Sequence, residues 1–246
     1  MAVVMITPLA RRATIVGASC LLLTACGKDP ARDLKGMKAQ IQERFGNKDF
    51  AGGYDIAVKA LELARSTIGD KAPDTLYFAQ AITENAEGMR NIPAFIKAMK
   101  VELDLRSKAG QGEDRLQRRR TLLIRFAEES GDKQTSIEQT VIIANSIGMG
   151  PGKDPQPTYR PESPYPADLA RARVEGDVEL GFNLDPNGTP VAIRVIRAVP
   201  VNTFDIAAME NFRLWRFTPF IENGQPVSSV GHNFLLAFRL EKAKRP

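Results

Sequence analysis

The residues whose types could do chemistry are few. His232 is the only histidine, and the only cysteines, Cys20 and Cys26, lie close to the amino terminus. A Ser-His-Asp triad would therefore need His232, and a zinc site with several histidines is excluded. Downstream of Cys26 there is no thiol for a disulfide, a metal ligand or a nucleophile. Because phosphate-loop and metal-ligand spacings are also missing, we predict no enzymatic activity, no metal and no cofactor.

The amino terminus has the pattern of an export signal. Arg11 and Arg12 precede an uncharged run over residues 13–25, which is too short to span about 30 Å of hydrocarbon as a helix. The run leads into five residues that resemble a bacterial lipobox, Leu23-Thr24-Ala25-Cys26-Gly27. The resemblance implies a signal peptide over residues 1–25 and lipidation of Cys26. A buried core helix is the alternative interpretation.

Lipidation would decide where the mature protein lies. Acyl chains on Cys26 anchor a protein to a membrane, and Gly27 replaces the aspartate associated with inner-membrane retention. The resemblance therefore implies the periplasmic face of the outer membrane. Loss of Arg11 and Arg12 lowers the net charge of +5 by two, and this mild surplus argues against a nucleic-acid partner.

Residues 26–148 have the pattern of successive helices. Over residues 50–68 the apolar side chains recur every three or four positions, as on one buried helix face. Residues 61–66 and 103–107 are similar and each precedes a glycine-containing break. This weak repeat resembles tetratricopeptide-type helical hairpins, and an irregular bundle is the alternative. We interpret the arginine run at 118–120 as a solvated helix face.

A proline-rich segment follows the helices. Six prolines lie between positions 149 and 166: Pro151, Pro155, Pro157, Pro161, Pro164 and Pro166. Since proline fixes φ and lacks an amide donor, we predict that residues 149–164 form a semi-rigid linker without helix or sheet interior.

Beyond the linker the apolar period changes to two. Val178, Leu180, Phe182 and Leu184 share one face of a predicted strand, and residues 185–188 have turn residues in favoured positions. A second strand, a helix and a last strand follow. The helix is predicted to start at Asn202 or Thr203, and its apolar stripe consists of Phe204, Ala207, Ala208, Phe212 and Trp215. A right-handed crossover places the last strand beside the first and leaves one of its edges unpaired.

Residues 165–242 resemble the carboxy-terminal domain of the TonB family. The pieces that match, in the family's order, are Tyr165-Pro166, Gly176-Asp177-Val178-Glu179-Leu180, Asp185-Pro186-Asn187-Gly188, Phe204-Asp205-Ile206-Ala207-Ala208, Trp215-Arg216-Phe217-Thr218-Pro219 and Asn223-Gly224-Gln225-Pro226-Val227. The expected fold is multidomain: an all-α helical-hairpin, tetratricopeptide-like region, then an α+β domain of β-β-α-β order with a three-stranded antiparallel sheet.

The resemblance implies a non-enzymatic module that grips an extended segment of another protein by strand addition. The implied partner is an outer-membrane receptor or other envelope protein, in TonB-type transmembrane transport. The partner-binding residues that we expect are Tyr165, Pro166, Val227, Ser229, Gly231, Asn233 and Leu235. A structural scaffold or a peptidoglycan-binding module is the alternative, since the mild basic charge permits association with an anionic cell wall. A cleavable lipoprotein signal in place of the inner-membrane helix of an energy transducer argues against energy transduction.

Four further side chains receive interpretations from the sequence alone. Trp215 and Phe217 are expected in the core between helix and sheet. His232 is interpreted as a strand-end residue, and Arg216 as a surface charge or a partner contact, because it alternates with apolar neighbours.

Overall fold

A computed structural model describes residues 29–163 and 165–240. The predicted signal peptide and the predicted lipidation site Cys26 lie outside these residues. Over the described ranges no helix combines the length and the apolar character that crossing a membrane requires.

Six helices form the first part of the molecule, and each packs against the next one in the chain. Their bounds are Pro30–Gly46 (α1), Phe50–Thr67 (α2), Pro73–Gly88 (α3), Ile92–Lys108 (α4), Glu113–Ser130 (α5) and Lys133–Ser146 (α6). The side chains of Asp49, Asn91 and Asp132 accept backbone N–H groups at the starts of α2, α4 and α6. These caps satisfy donors that have no partner within the helix. The predicted helical-hairpin region is confirmed.

The predicted apolar stripe of α2 is confirmed in its centre. Ala57, Ala60, Leu61 and Ala64 are buried, whereas Ile68 follows the last helical residue and is exposed. The next helix, α3, has Ala72 at its N-cap and no side-chain cap. Its first residue is Pro73, which is tolerated there because the first amides of a helix have no intrahelical acceptor.

The proline-rich segment is not a free spacer. It contains a short strand, Pro157–Tyr159 (β1), which pairs with Arg216–Phe217 (β4). Pro157 is the first residue of this strand, a position where the missing amide is tolerated. The Lys153 ammonium donates to the carbonyls of residues 147 and 148 at the end of α6. The segment therefore contributes a short strand to the fold, while the predicted linker at 149–164 and the proposed domain bounds remain predictions.

The second part is an α+β domain with the predicted strand order. Its elements are Ala167–Arg171 (α7), Gly176–Leu184 (β2), Pro190–Val199 (β3), Asp205–Phe212 (α8), β4, Phe220–Glu222 (β5), Gln225–Val227 (β6) and Ser229–Phe238 (β7). The three long strands form an antiparallel sheet in the order β3-β2-β7. The crossover from β3 to β7 passes through α8, so the last strand lies beside the first one of the hairpin, as predicted.

One face of this sheet is buried against α8 and β4. The predicted inward residues Val178, Leu180, Phe182 and Leu184 are all at most 1% exposed. The ring centroids of Phe182 and Phe212 lie 4.9 Å apart in an edge-to-face contact. Phe204, Ala208 and Trp215 are buried as expected, although α8 begins only at Asp205 and has no side-chain cap. The core placement of Trp215 and Phe217 is confirmed.

The hairpin turn between β2 and β3 is closed by its own aspartate. The Asp185 Oδ1 atom accepts the amides of Asn187 at 2.9 Å and Thr189 at 2.8 Å. Gly188 adopts a left-handed conformation with φ of +76°. Its carbonyl accepts the amide of Phe217 at 2.8 Å, so the turn is attached to β4.

Candidate functional site

The outer edge of β7 has no strand partner among the residues that the structure describes. Pairing with β2 is regular from the pair Gly176 and Phe238 to the pair Phe182 and His232. A bulge then shifts the register, and Gly231 there has φ of +79°. The regular edge therefore covers residues 232–238, about 20 Å of extended chain.

Two cavities lie along this edge. The larger, about 550 Å³, is lined by β7 from Phe234 onwards and by Tyr165 and Trp215. The other, about 460 Å³, borders β7 from Gly231 to Phe234. Residues of the proline-rich segment also line both cavities. A groove thus accompanies the unpaired backbone of β7, and we call it the β7 groove.

Arg160 lies where the two cavities of the β7 groove meet, since it lines both. Its guanidinium carbon is 4.9 Å from the ring centroid of Trp215 and 5.3 Å from that of Phe234. These are cation–π distances, so the two rings hold the guanidinium over the groove. Arg160 could not be predicted from the sequence, because its position depends on a contact with the ring of Trp215, which is 55 positions away in the chain.

Four of the predicted partner-binding residues border the β7 groove or its edge: Tyr165, Gly231, Asn233 and Leu235. Asn233 and Leu235 lie on the regular part of β7, and Leu235 is 53% exposed. The Tyr165 ring contacts Phe204 and Phe238 edge to face, and its hydroxyl donates to the carbonyl of Val174. Burial raises the pKa of Tyr165, with Glu175 adding to the rise, so the hydroxyl keeps its proton and remains a donor.

Gly231 reaches the groove from the bulge, and the remaining three residues are placed differently. Val227 belongs to β6 and pairs with Phe220, so it does not lie on the unpaired edge of β7. Ser229 is buried and its hydroxyl contacts the His232 ring. Gly231 lies in the bulge, where its amide donates to the side chain of Asn183. Pro166 precedes α7 at its N-cap and does not line the larger cavity.

His232 is half buried near the start of β7. Its Nε2 atom lies 2.7 Å from the Ser229 hydroxyl. Burial lowers the pKa of His232 below its ordinary value, and Asp154 opposes that shift. Over the described residues no group of three or more His, Cys, Asp or Glu side chains could hold a metal.

Arg216 lies in the interior, between the two parts of the molecule. It is 6% exposed, and its Nε atom donates to the Glu128 carboxylate on α5. Its Nη1 atom donates to the Asn187 carbonyl and the Thr189 hydroxyl, both at 3.0 Å. Lys133 and Ser136 also donate to Glu128. The prediction of a surface charge or partner contact is wrong, because a carboxylate distant in sequence compensates the buried guanidinium.

The carboxylate of Glu128 is held ionised. Burial alone would raise its pKa, but the hydrogen bonds from Arg216, Lys133 and Ser136 outweigh burial and leave the pKa below the ordinary 4.5. The stability that Glu128 contributes is therefore complete above pH 4.5 and is lost as the pH falls through the lower folded value.

In Glu128→Gln, we expect the free energy of unfolding to fall less steeply as the pH is lowered, because this variant has no carboxyl group to titrate at this contact. Urea unfolding followed by Trp215 fluorescence between pH 2.5 and 6 measures it. Glu129→Gln, on the exposed side of α5, is the matched control and should keep the slope of the unaltered protein. Equal slopes in both variants would contradict a lowered pKa at Glu128.

The geometry defines a small α+β domain in which the outer edge of β7 is unpaired and lies beside a groove, an arrangement found in modules that bind extended chains. Residues 161–240 match the model of the family described as the Gram-negative bacterial TonB protein C-terminal. This part of the chain is a TonB C-terminal domain.

The match extends to individual TonB proteins. The chain is 31% identical to protein TonB of Yersinia enterocolitica over 74 residues, which are 30% of this chain and 29% of that protein. It is 31% identical to protein TonB of Escherichia coli K12 over 81 residues, 33% of this chain and 32% of that protein. The chain thus spans about a third of the length of these TonB proteins, to which its domain is distantly related.

Solved structures resemble both parts of the molecule. The solution structure of the Pseudomonas aeruginosa TonB CTD is 28% identical, covers 38% of this chain and 94% of that one, and has a TM-score of 0.32. A kinesin-light-chain protein of Podosopora anserina with TPR-like repeats is 13% identical, covers 58% of this chain and 64% of that one, and has a TM-score of 0.35.

Proposed function

We propose that this protein is a non-enzymatic cell-envelope lipoprotein whose TonB-like domain binds an extended segment of an outer-membrane or periplasmic partner by adding it as a strand to β7. The observation that carries the proposal is the unpaired edge at residues 232–238 beside the β7 groove. In this binding mode, main-chain hydrogen bonds provide affinity and pockets for alternate side chains provide selectivity.

The groove offers chemically different surroundings to the two faces of an added strand. One face would meet Trp215, Tyr165 and the aliphatic part of Arg160, all of which line the larger cavity. The other would continue the solvent face of the sheet beside Leu235 and Asn233. A segment with alternating apolar and polar side chains fits these surroundings best.

The proposed location rests on the lipobox resemblance and on the TonB-like domain. Acyl chains on Cys26 would hold the protein at the periplasmic face of the outer membrane, where receptor segments are accessible. A place in TonB-type transport is part of the proposal, and an outer-membrane receptor is the partner that it implies. The intact mass of the mature amino terminus, measured after membrane fractionation, tests the anchor.

Strand addition is tested by site-specific photocrosslinking in intact cells. We expect a photoreactive side chain at position 235 to crosslink an envelope protein through an extended segment. The same side chain at position 196 is the matched control, since Ile196 is 46% exposed on β3, the opposite edge strand of the sheet. Crosslinks of equal yield at both positions, or none at position 235, would contradict docking at β7.

The alternative is a scaffold that binds peptidoglycan without an extended protein partner. Sedimentation with purified sacculi, with and without residues 165–246, separates the two. Strand addition predicts no effect of the deletion on sedimentation, whereas the alternative predicts that sedimentation is lost with the domain.

A further inference from the structure

A third cavity lies on the helical side of the proline-rich segment, where α5 meets β1. It measures about 350 Å³, and three arginines line it: Arg118 and Arg125 from α5, and Arg160 from the residue after β1. We call it the arginine cleft. Since Arg160 lines this cleft and both cavities of the β7 groove, the two surfaces adjoin at that residue.

Helix geometry explains why these arginines face outward. Positions 118, 122 and 125 are four and three residues apart, so they share one face of α5. The neighbouring arginines of the run at 118–120 are turned inward. Arg119 donates to the buried Glu102, which also accepts Arg106. The interpretation of the whole run as a solvated face is therefore wrong, and only Arg118 is fully exposed.

The charges of the arginine cleft are largely uncompensated. Among the described residues, Arg118 and Arg160 form no ion pair, and Arg125 has only the exposed Glu129 at 4.0 Å. Arg239, which is also exposed, is paired more closely, at 2.6 Å to Asp177. Three guanidinium groups around one cavity favour an anionic ligand, and carboxylates suit them because guanidinium can bind both oxygens.

We propose that the helical region supplies a second, basic half of the docking surface, which binds acidic residues flanking the segment held at β7. The inference rests on the proposed function and adds the chemistry of its partner: an extended chain with carboxylates at the end that passes Arg160 towards α5. Exposed charges of this kind affect which partner segment is bound and how fast it associates. The contribution of the arginine cleft to binding should therefore weaken as the salt concentration rises.

The test is charge reversal in the full-length chain that carries the photoreactive side chain at position 235. We expect Arg118→Glu combined with Arg125→Glu to lower the crosslink yield about tenfold, which corresponds to roughly 1.4 kcal/mol. The control, Lys59→Glu combined with Lys71→Glu, changes net charge equally at exposed residues of the helical region and should leave the yield unchanged. Mass spectrometry of the crosslinked peptide should find Asp or Glu beside the captured segment.

The outcomes separate the two proposals. An unchanged yield in the Arg118/Arg125 variant, or a captured peptide without flanking acidic residues, would overturn the arginine cleft and leave docking at β7 intact. Absence of any crosslink at position 235 in the otherwise unaltered chain would overturn docking at β7, and this inference with it. If the double reversal instead abolishes sedimentation with phosphatidylglycerol vesicles and leaves crosslinking unchanged, the cleft binds an anionic membrane and the inference is wrong.

Discussion

Replacing Glu128 with alanine should lower the free energy of unfolding by about 3–5 kcal/mol, the usual cost of removing one partner from a buried ion pair. Arg216 would keep its bonds to Asn187 and Thr189 but would lose the only carboxylate that it contacts among the described residues. Because Glu128 lies on α5 and Arg216 on β4, the loss falls on the contact between the helices and the sheet domain.

Chemical denaturation at pH 7 measures this effect. Trp215 is the only tryptophan and precedes Arg216, so its fluorescence reports unfolding on the sheet side of the contact. Glu129→Ala is the control, because Glu129 is exposed and its pair with Arg125 is as long as 4.0 Å. This substitution should lower the free energy of unfolding by less than about 0.5 kcal/mol. Similar values for both variants would show that the Glu128–Arg216 pair does not stabilise the contact.

A double variant tests whether the loss of stability comes from leaving one buried charge without its partner. If burial of an uncompensated charge causes the loss, Glu128→Met together with Arg216→Met should cost less than either single substitution, since no charge then remains buried. Losses that simply add would contradict direct coupling between the two side chains.

Gly188→Ala should also be strongly destabilising, by about 4 kcal/mol. The left-handed φ of +76° is strained for any residue with a Cβ, which costs about 1–2 kcal/mol. The added Cβ would lie 1.9 Å from the carbonyl oxygen of Phe217, and a backbone atom cannot move aside as a flexible side chain can. Relieving that overlap costs roughly 1–3 kcal/mol more and separates the hairpin turn from β4.

The control for this substitution is Gly224→Ala. Gly224 has nearly the same φ, +77°, but nothing within 4 Å of the position where its Cβ would lie. Gly224→Ala should therefore lower the free energy of unfolding only by the cost of the left-handed φ, about 1–2 kcal/mol. Thermal or urea unfolding of the two variants therefore isolates the contact with Phe217, and equal losses would contradict it.

Features with local causes could be predicted from the sequence. The alternation of Val178, Leu180 and Phe182 depends only on strand geometry, and the turn at Asp185 closes on its own neighbours. The strand order followed from the handedness of the crossover. These parts of the fold were predicted because each physical signal lies within a few residues or in a general rule of chain topology.

What escaped prediction depends on contacts between distant segments. The burial of Arg216 requires Glu128, which is 88 positions away. The strand β1 requires Arg216 and Phe217, since Thr158 bonds to the Arg216 carbonyl across 58 positions. In the candidate site, Leu235 and Asn233 were placed correctly on the edge, whereas Val227 was not, because β6 and the bulge at Gly231 interrupt the apparent run of strand.

The order in which the six helices pack bears on the distance between the first helix and the sheet domain. Neighbouring helix axes are about 8–10 Å apart, so the four steps from α1 to α5 span up to roughly 40 Å. The sheet domain is fixed to α5, while the described chain enters at α1. If Cys26 anchors the chain as proposed, the number of helices between the anchor and α5 would set the distance from the membrane to β7. Inserting one helical hairpin ahead of α5 would then change that distance and leave both β7 and the arginine cleft unaltered.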